Sequence, residues 1–293
     1  MYDFSALYQA TSVSDAVRLR AEHPNAVLLA GGSDVLIKIR EGKLAGCELI
    51  SIYMLDELRG VKLDPDGTLR ILPLTSFSHV TKDPLIQQYI PVLGEAVDQA
   101  GGPQLRNIGT IGGNICNGVT SADSASTLLC YDAVREITGP KGVRTLPDTE
   151  FYAGPGKVNL GKDELLTAIL IPKDSYKNCY GHYIKYAMRN AMDIATIGCS
   201  VNVVLSPDKK TVRRARIGYG VAGPVPLRAR SAEEYAAGKP VSEETAAGFA
   251  KAALKDVSPR TSWRATAEFR LQIIEELARR GLIAAMKRAG GEL

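Results

Sequence analysis

The sequence predicts an α+β protein in three consecutive parts. These are an N-terminal α/β subdomain (1–55), a larger mixed subdomain (56–176), and a C-terminal subdomain of antiparallel sheet plus helices (177–293). Three observations predict it. The first fifty residues read helix, strand, tight turn, strand, a small βαβ-like unit. The middle alternates short apolar strands with helical stretches and a hairpin. The last third opens with three strand-like runs and closes on a long amphipathic helix.

Each element has a local reason. Ser12 can cap a helix, with Asp15 three residues on as a weak capping box; Ala16, Val17 and Leu19 face its core side, and Pro24 closes it. "NAVLLA" is a continuous apolar strand of the buried type. "DVLIKIREGK" resumes after a glycine pair, and "CELISIY" is a further strand. "TLRILPLTSFSHV" reads as strand, loop and helix start; "DPLIQQYIPVLGEAVDQA" is helical and interrupted near Pro91. "TSADSASTLLCYDA" is a helix with Thr120 or Ser121 at its start. "AVREITGPKGVRTLP" is a hairpin around a Gly-Pro-Lys-Gly turn, and "ELLTAILIP" a strand. "YGHYIKYAMR", "TIGCSVNVVL" and "VRRARIGYGVAG" are antiparallel strands. "SAEEYAAGKP" begins the helical end, which finishes with "EFRLQIIEELARRGLIAAMKRA".

Composition narrows the function. Of 293 residues, 45% are hydrophobic and 23% charged, the balance of a globular chain. A net charge of +4 with scattered lysines and arginines gives no basic face for nucleic acid. No apolar run reaches the roughly 18 residues of a membrane span. "MYDFSALYQA" lacks the basic and apolar regions of a secretion signal, so a cytoplasmic location is expected. Five dispersed cysteines and three histidines, without metal-like spacing, read as buried thiols in a reducing compartment. A chain so poor in nucleophiles and metal ligands points to a bound organic cofactor for any chemistry.

Two glycine-rich sites stand out: Ala30-Gly31-Gly32-Ser33-Asp34, and Thr110-Ile111-Gly112-Gly113-Asn114 with Asn117-Gly118 and Thr120-Ser121-Ala122-Asp123-Ser124. Lacking Cβ atoms, glycines let successive N–H groups approach a ligand as an anion-binding nest. Ser33, Thr110, Thr120 and Ser121 add hydroxyls. Two such turns face to face suit a diphosphate; read singly, each is equally a tight strand-to-helix turn. No P-loop is present. Gly218-Tyr219-Gly220-Val221-Ala222-Gly223 has a dinucleotide-type spacing, but Pro224 and Pro226 follow at once and no helix can start there.

"LLAGGSDVLI", "RNIGTIGGNICNG" and "TSADSAS", in this order and spacing, resemble the two flavin-diphosphate loops of the FAD-binding subunits of molybdenum hydroxylases, those of bacterial xanthine dehydrogenases above all. The resemblance spans the whole chain, through "TSWRATAEFR". It implies FAD in a cleft between the first two subdomains, with the third closing over the flavin. The first loop would be Val27, Leu28, Leu29, Ala30, Gly31, Gly32, Ser33 and Asp34, with the N–H groups of Gly31 to Asp34 on phosphate. A valine at Gly32 is then expected to put its branch in the phosphate's place. The second would be Gly109, Thr110, Ile111, Gly112, Gly113 and Asn114, with the Thr110 hydroxyl on phosphate. Asp123 falls where the family has an acid near ribose or ribityl hydroxyls; read alone it is a helix-start carboxylate. Leu166 matches a backbone contact to the cofactor. Lys185 matches a lysine close to the flavin, where a cation favours the anionic reduced ring; read alone it is a solvated strand lysine. Asp193-Ile194-Ala195 matches the segment packed on the isoalloxazine, with Ile194 where some relatives have Tyr. Arg189 reads as a surface arginine.

The resemblance also implies an electron relay. A molybdenum-cofactor large subunit would oxidise a purine-like substrate, a small subunit's 2Fe–2S clusters would carry the electrons, and they would leave this FAD for NAD. This chain would contribute no catalytic side chain and no metal site. Other substrates (aldehyde, nicotinate, CO, an aromatic acyl-CoA), other acceptors (O₂ or quinone), a stand-alone flavin reductase of the same fold and a cofactor-free scaffold are the alternatives.

Overall fold

The chain opens on a strand that its sequence does not announce. In the computed structural model, which describes residues 2–293, β1 (Phe4–Gln9) has no fully buried side chain. An edge strand of this kind carries little apolar alternation to read. Ser12 caps α1 (Val13–Glu22) through Asp15 N–H, while Asp15 reaches back to Thr11 N–H rather than to Ser12's own. Then come β2 (Val27–Leu29), α2 (Val35–Arg40) and β3 (Cys47–Ser51). The three strands pair in parallel, in the order β1-β3-β2. Ala16, Val17, Leu19 and Ile50 are among the residues of the small core beneath.

The middle part starts with β4 (Val61–Leu63) and β5 (Leu69–Ile71). Three short helices follow: α3 (Phe77–Lys82), α4 (Pro84–Tyr89) and α5 (Pro91–Val97). Ser76 caps the first and Asp83 the second; Pro91 ends the second and begins the third. Next are α6 (Pro103–Ile108), α7 (Ile111–Cys116) and α8 (Asp123–Cys130). The last begins one or two residues later than Thr120 or Ser121 as caps suggest. Its N-cap is the extended Ala122, which offers no side-chain cap. The expected hairpin is β6 (Val134–Gly139) and β7 (Gly142–Pro147). A single turn, α9 (Asp148–Phe151), leads to the small hairpin β8 (Tyr152–Gly154) and β9 (Lys157–Val158). The central strand β10 (Leu165–Ile171) and the turn α10 (Lys173–Tyr176) complete it. The sheet is antiparallel, in the order β4-β5-β10-β6-β7.

The last sheet is antiparallel as expected: β11 (Tyr180–Tyr186), β12 (Ile197–Leu205), β13 (Val212–Gly220) and a short β14 (Leu227–Arg228). Helices α11 (Arg230–Ala236), α12 (Glu243–Ala253) and α13 (Ala267–Arg288) cover it. The long helix lies over β11 and β12 and buries Ile274, Leu277, Ala278, Leu282, Ala285 and Met286. The dinucleotide-like glycine spacing falls at the end of β13, not at a helix start. A Cβ on Gly218 would stand 2.4 Å from the Ser126 carbonyl oxygen of α8. Gly218 therefore lets α8, buried along its whole length, lie against the sheet. Among the described residues, no helix is long and apolar enough to cross a membrane.

Candidate functional site

The first glycine turn joins β2 to α2. Gly32 has φ +75°, a conformation that costs any L side chain. Gly31 is needed for a different reason: a Cβ there would lie 1.9 Å from the carbonyl oxygen of Ile108, at the end of α6. The two glycine segments, far apart in sequence, thus meet backbone to backbone. The N–H groups of Gly31, Gly32, Ser33 and Asp34 donate to no acceptor among the described residues. Three half-buried residues and the exposed Asp34 thus present four successive N–H donors without partners, suited to an anion.

The second segment is built otherwise. Thr110 caps α7, its hydroxyl accepting from Gly113 N–H. The N–H of Ile111 donates to Thr75, that of Gly112 to Pro73 and that of Asn114 to Thr110, each onto a backbone carbonyl. Gly112 is held against Pro73, 2.4 Å from where a Cβ would sit. This segment consequently offers no row of N–H groups. It brings the Thr110 hydroxyl proton, the Asn114 amide and a surface free of bulk. The sequence motifs look alike, yet only the first makes a nest.

Between the two segments lies a cleft of about 780 Å³, within the usual size of small-molecule and cofactor sites. Val27, Leu28, Ala30, Gly31, Gly32, Ser33, Asp34, Gly109, Thr110, Gly112, Gly113, Asn114, Asp123, Leu166 and Ile194 all line it. Leu29 and Ile111 do not. Ile111 is fully buried in the middle core, and the Leu29 side chain packs beside Gly32.

Lys185 does not line the cleft either, but it reaches the wall through Asp123. Its ammonium donates to Asp123 Oδ2 at 2.9 Å and to the Gln99 carbonyl at 2.9 Å, and its side chain is only 7% exposed. Tyr183, one pleat away on β11, donates its hydroxyl to Asp123 Oδ1 at 2.7 Å. Burial pushes the Asp123 carboxyl above the usual carboxylate range, while Lys185 and Tyr183 pull it back. The solvated lysine and the helix-start carboxylate expected from each residue alone are thus one buried pair. It joins α8 to the C-terminal sheet. Tyr183 carries no sequence signal of its own, because strand tyrosines are common.

At one end Leu165, Leu166, Val158, Leu160 and Gly156 wall the cleft beside Arg20, whose Nη2 donates to the Gly161 carbonyl. Cys116 is there too; burial pushes its thiol up to about 11, so it is a protonated, unreactive wall group. Met192, Asp193 and Ile194 also line the cleft, on the loop between β11 and β12. Asp193 folds this loop by accepting from the N–H of Arg189 and of Ile194. Ile194 stays 49% exposed. Sequence reasoning missed Lys38, Arg20, Pro73, Phe77, Ala100 and the β8–β9 hairpin, whose presence here follows from tertiary packing alone.

Known proteins resemble this chain along its length. Residues 2–174 match the FAD binding domain in molybdopterin dehydrogenase, and residues 182–285 the CO dehydrogenase flavoprotein C-terminal domain. The chain is 43% identical to a xanthine dehydrogenase FAD-binding subunit of Escherichia coli O157:H7, covering 100% of both. It is 30% identical to the carbon monoxide dehydrogenase medium chain of Hydrogenophaga pseudoflava, covering 94% of this chain and 95% of that one. In a solved structure of carbon monoxide dehydrogenase from that organism, one lacking the Mo-pyranopterin moiety of the molybdenum cofactor, a chain superimposes with a TM-score of 0.93 and 30% identity, covering 98% of this chain and 99% of that one.

Proposed function

The chain belongs to the FAD-binding subunits of molybdenum hydroxylases, and from that premise we propose that it is the flavin subunit of a xanthine dehydrogenase-type complex. The observation that carries the reading is the row of four unpartnered N–H groups facing the Thr110 hydroxyl across the cleft, in a chain aligned end to end with such a subunit. Bound FAD supplies the exchange of electrons between one-electron carriers and a two-electron acceptor.

This chain's residues do the holding. The N–H groups of Gly31 to Asp34 and the Thr110 hydroxyl bind the diphosphate. Leu165 and Leu166 with the β8–β9 hairpin form the wall at the other end. Asp123 meets sugar or ribityl hydroxyls, its charge balanced by Lys185. Ile194, with Met192, shields the ring from water. The iron–sulfur clusters that deliver electrons and the molybdenum site that oxidises the substrate belong to partner subunits, and NAD accepts the electrons. The complex works in the cytoplasm. A similar chain in Hydrogenophaga pseudoflava is a carbon monoxide dehydrogenase medium chain, which supports a substrate chosen by the large subunit rather than by this one.

One spectrum tests this. The purified chain is expected to carry flavin absorption near one FAD per chain, bleached by NADH without air. A colourless chain that cannot be reconstituted would leave the cofactor-free scaffold. Flavin that NADH does not bleach would move the acceptor to O₂ or quinone.

A further inference from the structure

Lys38 occupies an unusual position for a helix lysine. It stands one turn after Asp34 on α2, the spacing at which an acid and a lysine ordinarily pair on a helix surface. The pair does not form: among the described residues Lys38 has no carboxylate within ion-pairing distance. Its ammonium reaches across instead to Asn117 Oδ1, at 2.8 Å. Asn117 directly follows α7, and both residues line the cleft. A half-buried cation whose one bond is to a neutral amide keeps its charge uncompensated.

Two of the wall's acids are already held. Asp123 is held by Lys185, and Asp193 by Arg189 and two N–H groups. Arg20 is the other cation without an acid, and it stands at the Gly161 end. The unbalanced positive charge at the glycine turns is therefore that of Lys38. Asp34, the exposed N-cap residue of α2, lies four residues before Lys38 and adds a reason for an approaching anion to need that charge.

We propose that Lys38 is the charge partner of the cofactor's diphosphate, closing the two glycine segments over it from the α2 side; this rests on the reading of the cleft as an FAD site. The backbone donors fix the position of the phosphate oxygens. Lys38 supplies the charge that neutral N–H groups lack, and Asn117 holds it at the rim until the diphosphate arrives.

The test is FAD titration of the FAD-free full-length chain, followed by flavin fluorescence, at low and high salt. The variants are Lys38→Met, Lys38→Arg and, as an exposed charge control, Lys43→Met. Lys38→Met is expected to bind FAD about tenfold more weakly at low salt, a gap that narrows as salt screens the charge. Lys38→Arg should stay close to wild type, as should Lys43→Met. The FAD-free melting temperature of Lys38→Met should remain within about 3 °C of wild type, since one amide bond is lost. FAD affinity in Lys38→Met within about twofold of wild type overturns the assignment. So does a loss shared equally by Lys38→Arg, or one that salt leaves unchanged. A wild-type chain that takes up no FAD overturns the cofactor reading itself, and is told apart because it shows without any substitution.

Discussion

Gly31 and Gly32 are neighbours with separate duties. The expected clash of a Gly32 side chain with phosphate is not what the geometry shows: a Cβ there would face Leu36 and Leu29 side chains at 3.0 and 3.3 Å. The objection to valine is the left-handed backbone, which costs roughly 2 kcal/mol or more for a β-branched residue. Relieving it moves the N–H groups that make the nest. Gly32→Val is thus expected to fold with a lowered melting temperature and to lose FAD, measured by melting and by flavin content. Wild-type flavin content in the folded variant would sink the nest. Gly31→Ala should cost more stability than Gly32→Ala, because it pushes on a carbonyl rather than on side chains. The motif made both glycines visible in the sequence. Which one needs φ and which one needs space depends on Ile108, far along the chain, and no local pattern states it.

At the scale of elements, α8 is the joint. Every residue from Asp123 to Cys130 is buried, between α5 on one side and the strands β12 and β13 on the other. Its first residue meets β11 through Tyr183 and Lys185. Removing one member of such a pair strands a charge, at a cost of about 3–5 kcal/mol, whereas Tyr183→Phe removes one hydrogen bond and costs about 1 kcal/mol. In Lys185→Met the carboxyl of Asp123 loses its main opposing charge, so burial raises it further. A carboxyl raised on folding is penalised only when it must be charged. The deficit of Lys185→Met should therefore be small below about pH 4, the unfolded value, and grow as pH rises through the raised folded value. Melting curves across that range check it; a pH-independent deficit would contradict it. The helix was legible in "TSADSASTLLCYDA", but its start was not. Thr120 and Ser121 are favoured caps, yet they are spent in a turn closed by the Ala122 N–H on the Val119 carbonyl, and the helix begins only at Asp123, which faces the strand lysine.

For the whole molecule, the order of parts was readable because hydrophobic period changes along the chain. The run "NAVLLA" did become a sheet strand, though a half-buried one at the sheet's edge rather than the buried kind its apolar run suggested; the three strand-like runs of the last third became one antiparallel sheet. β1 was not readable, since edge strands bury little. The cleft was legible only as two motifs. Its walls come from six or more elements brought together by packing. The outer surface carries another sign: Trp263 is 77% exposed with the Arg264 guanidinium 4.2 Å from its ring, and Phe269 and Tyr186 lie near each other in the open. Exposed aromatic and arginine groups of this kind mark binding surfaces. In the proposed complex, Trp263→Ala should keep its flavin and its melting temperature but reduce the yield of assembled enzyme in size-exclusion chromatography. Full assembly would show that partners dock elsewhere.

The contact of Gly31 with the Ile108 carbonyl has a consequence for the life of the protein in a cell. The nest has its wall only when both segments are in place, so FAD held at the proposed site would recognise the finished fold and not the open chain. Binding of that kind stabilises in proportion to the logarithm of free ligand. Newly made copies would then compete with proteolysis on terms set by the vitamin supply, and riboflavin starvation should thin the population of this chain before it slows any surviving copy.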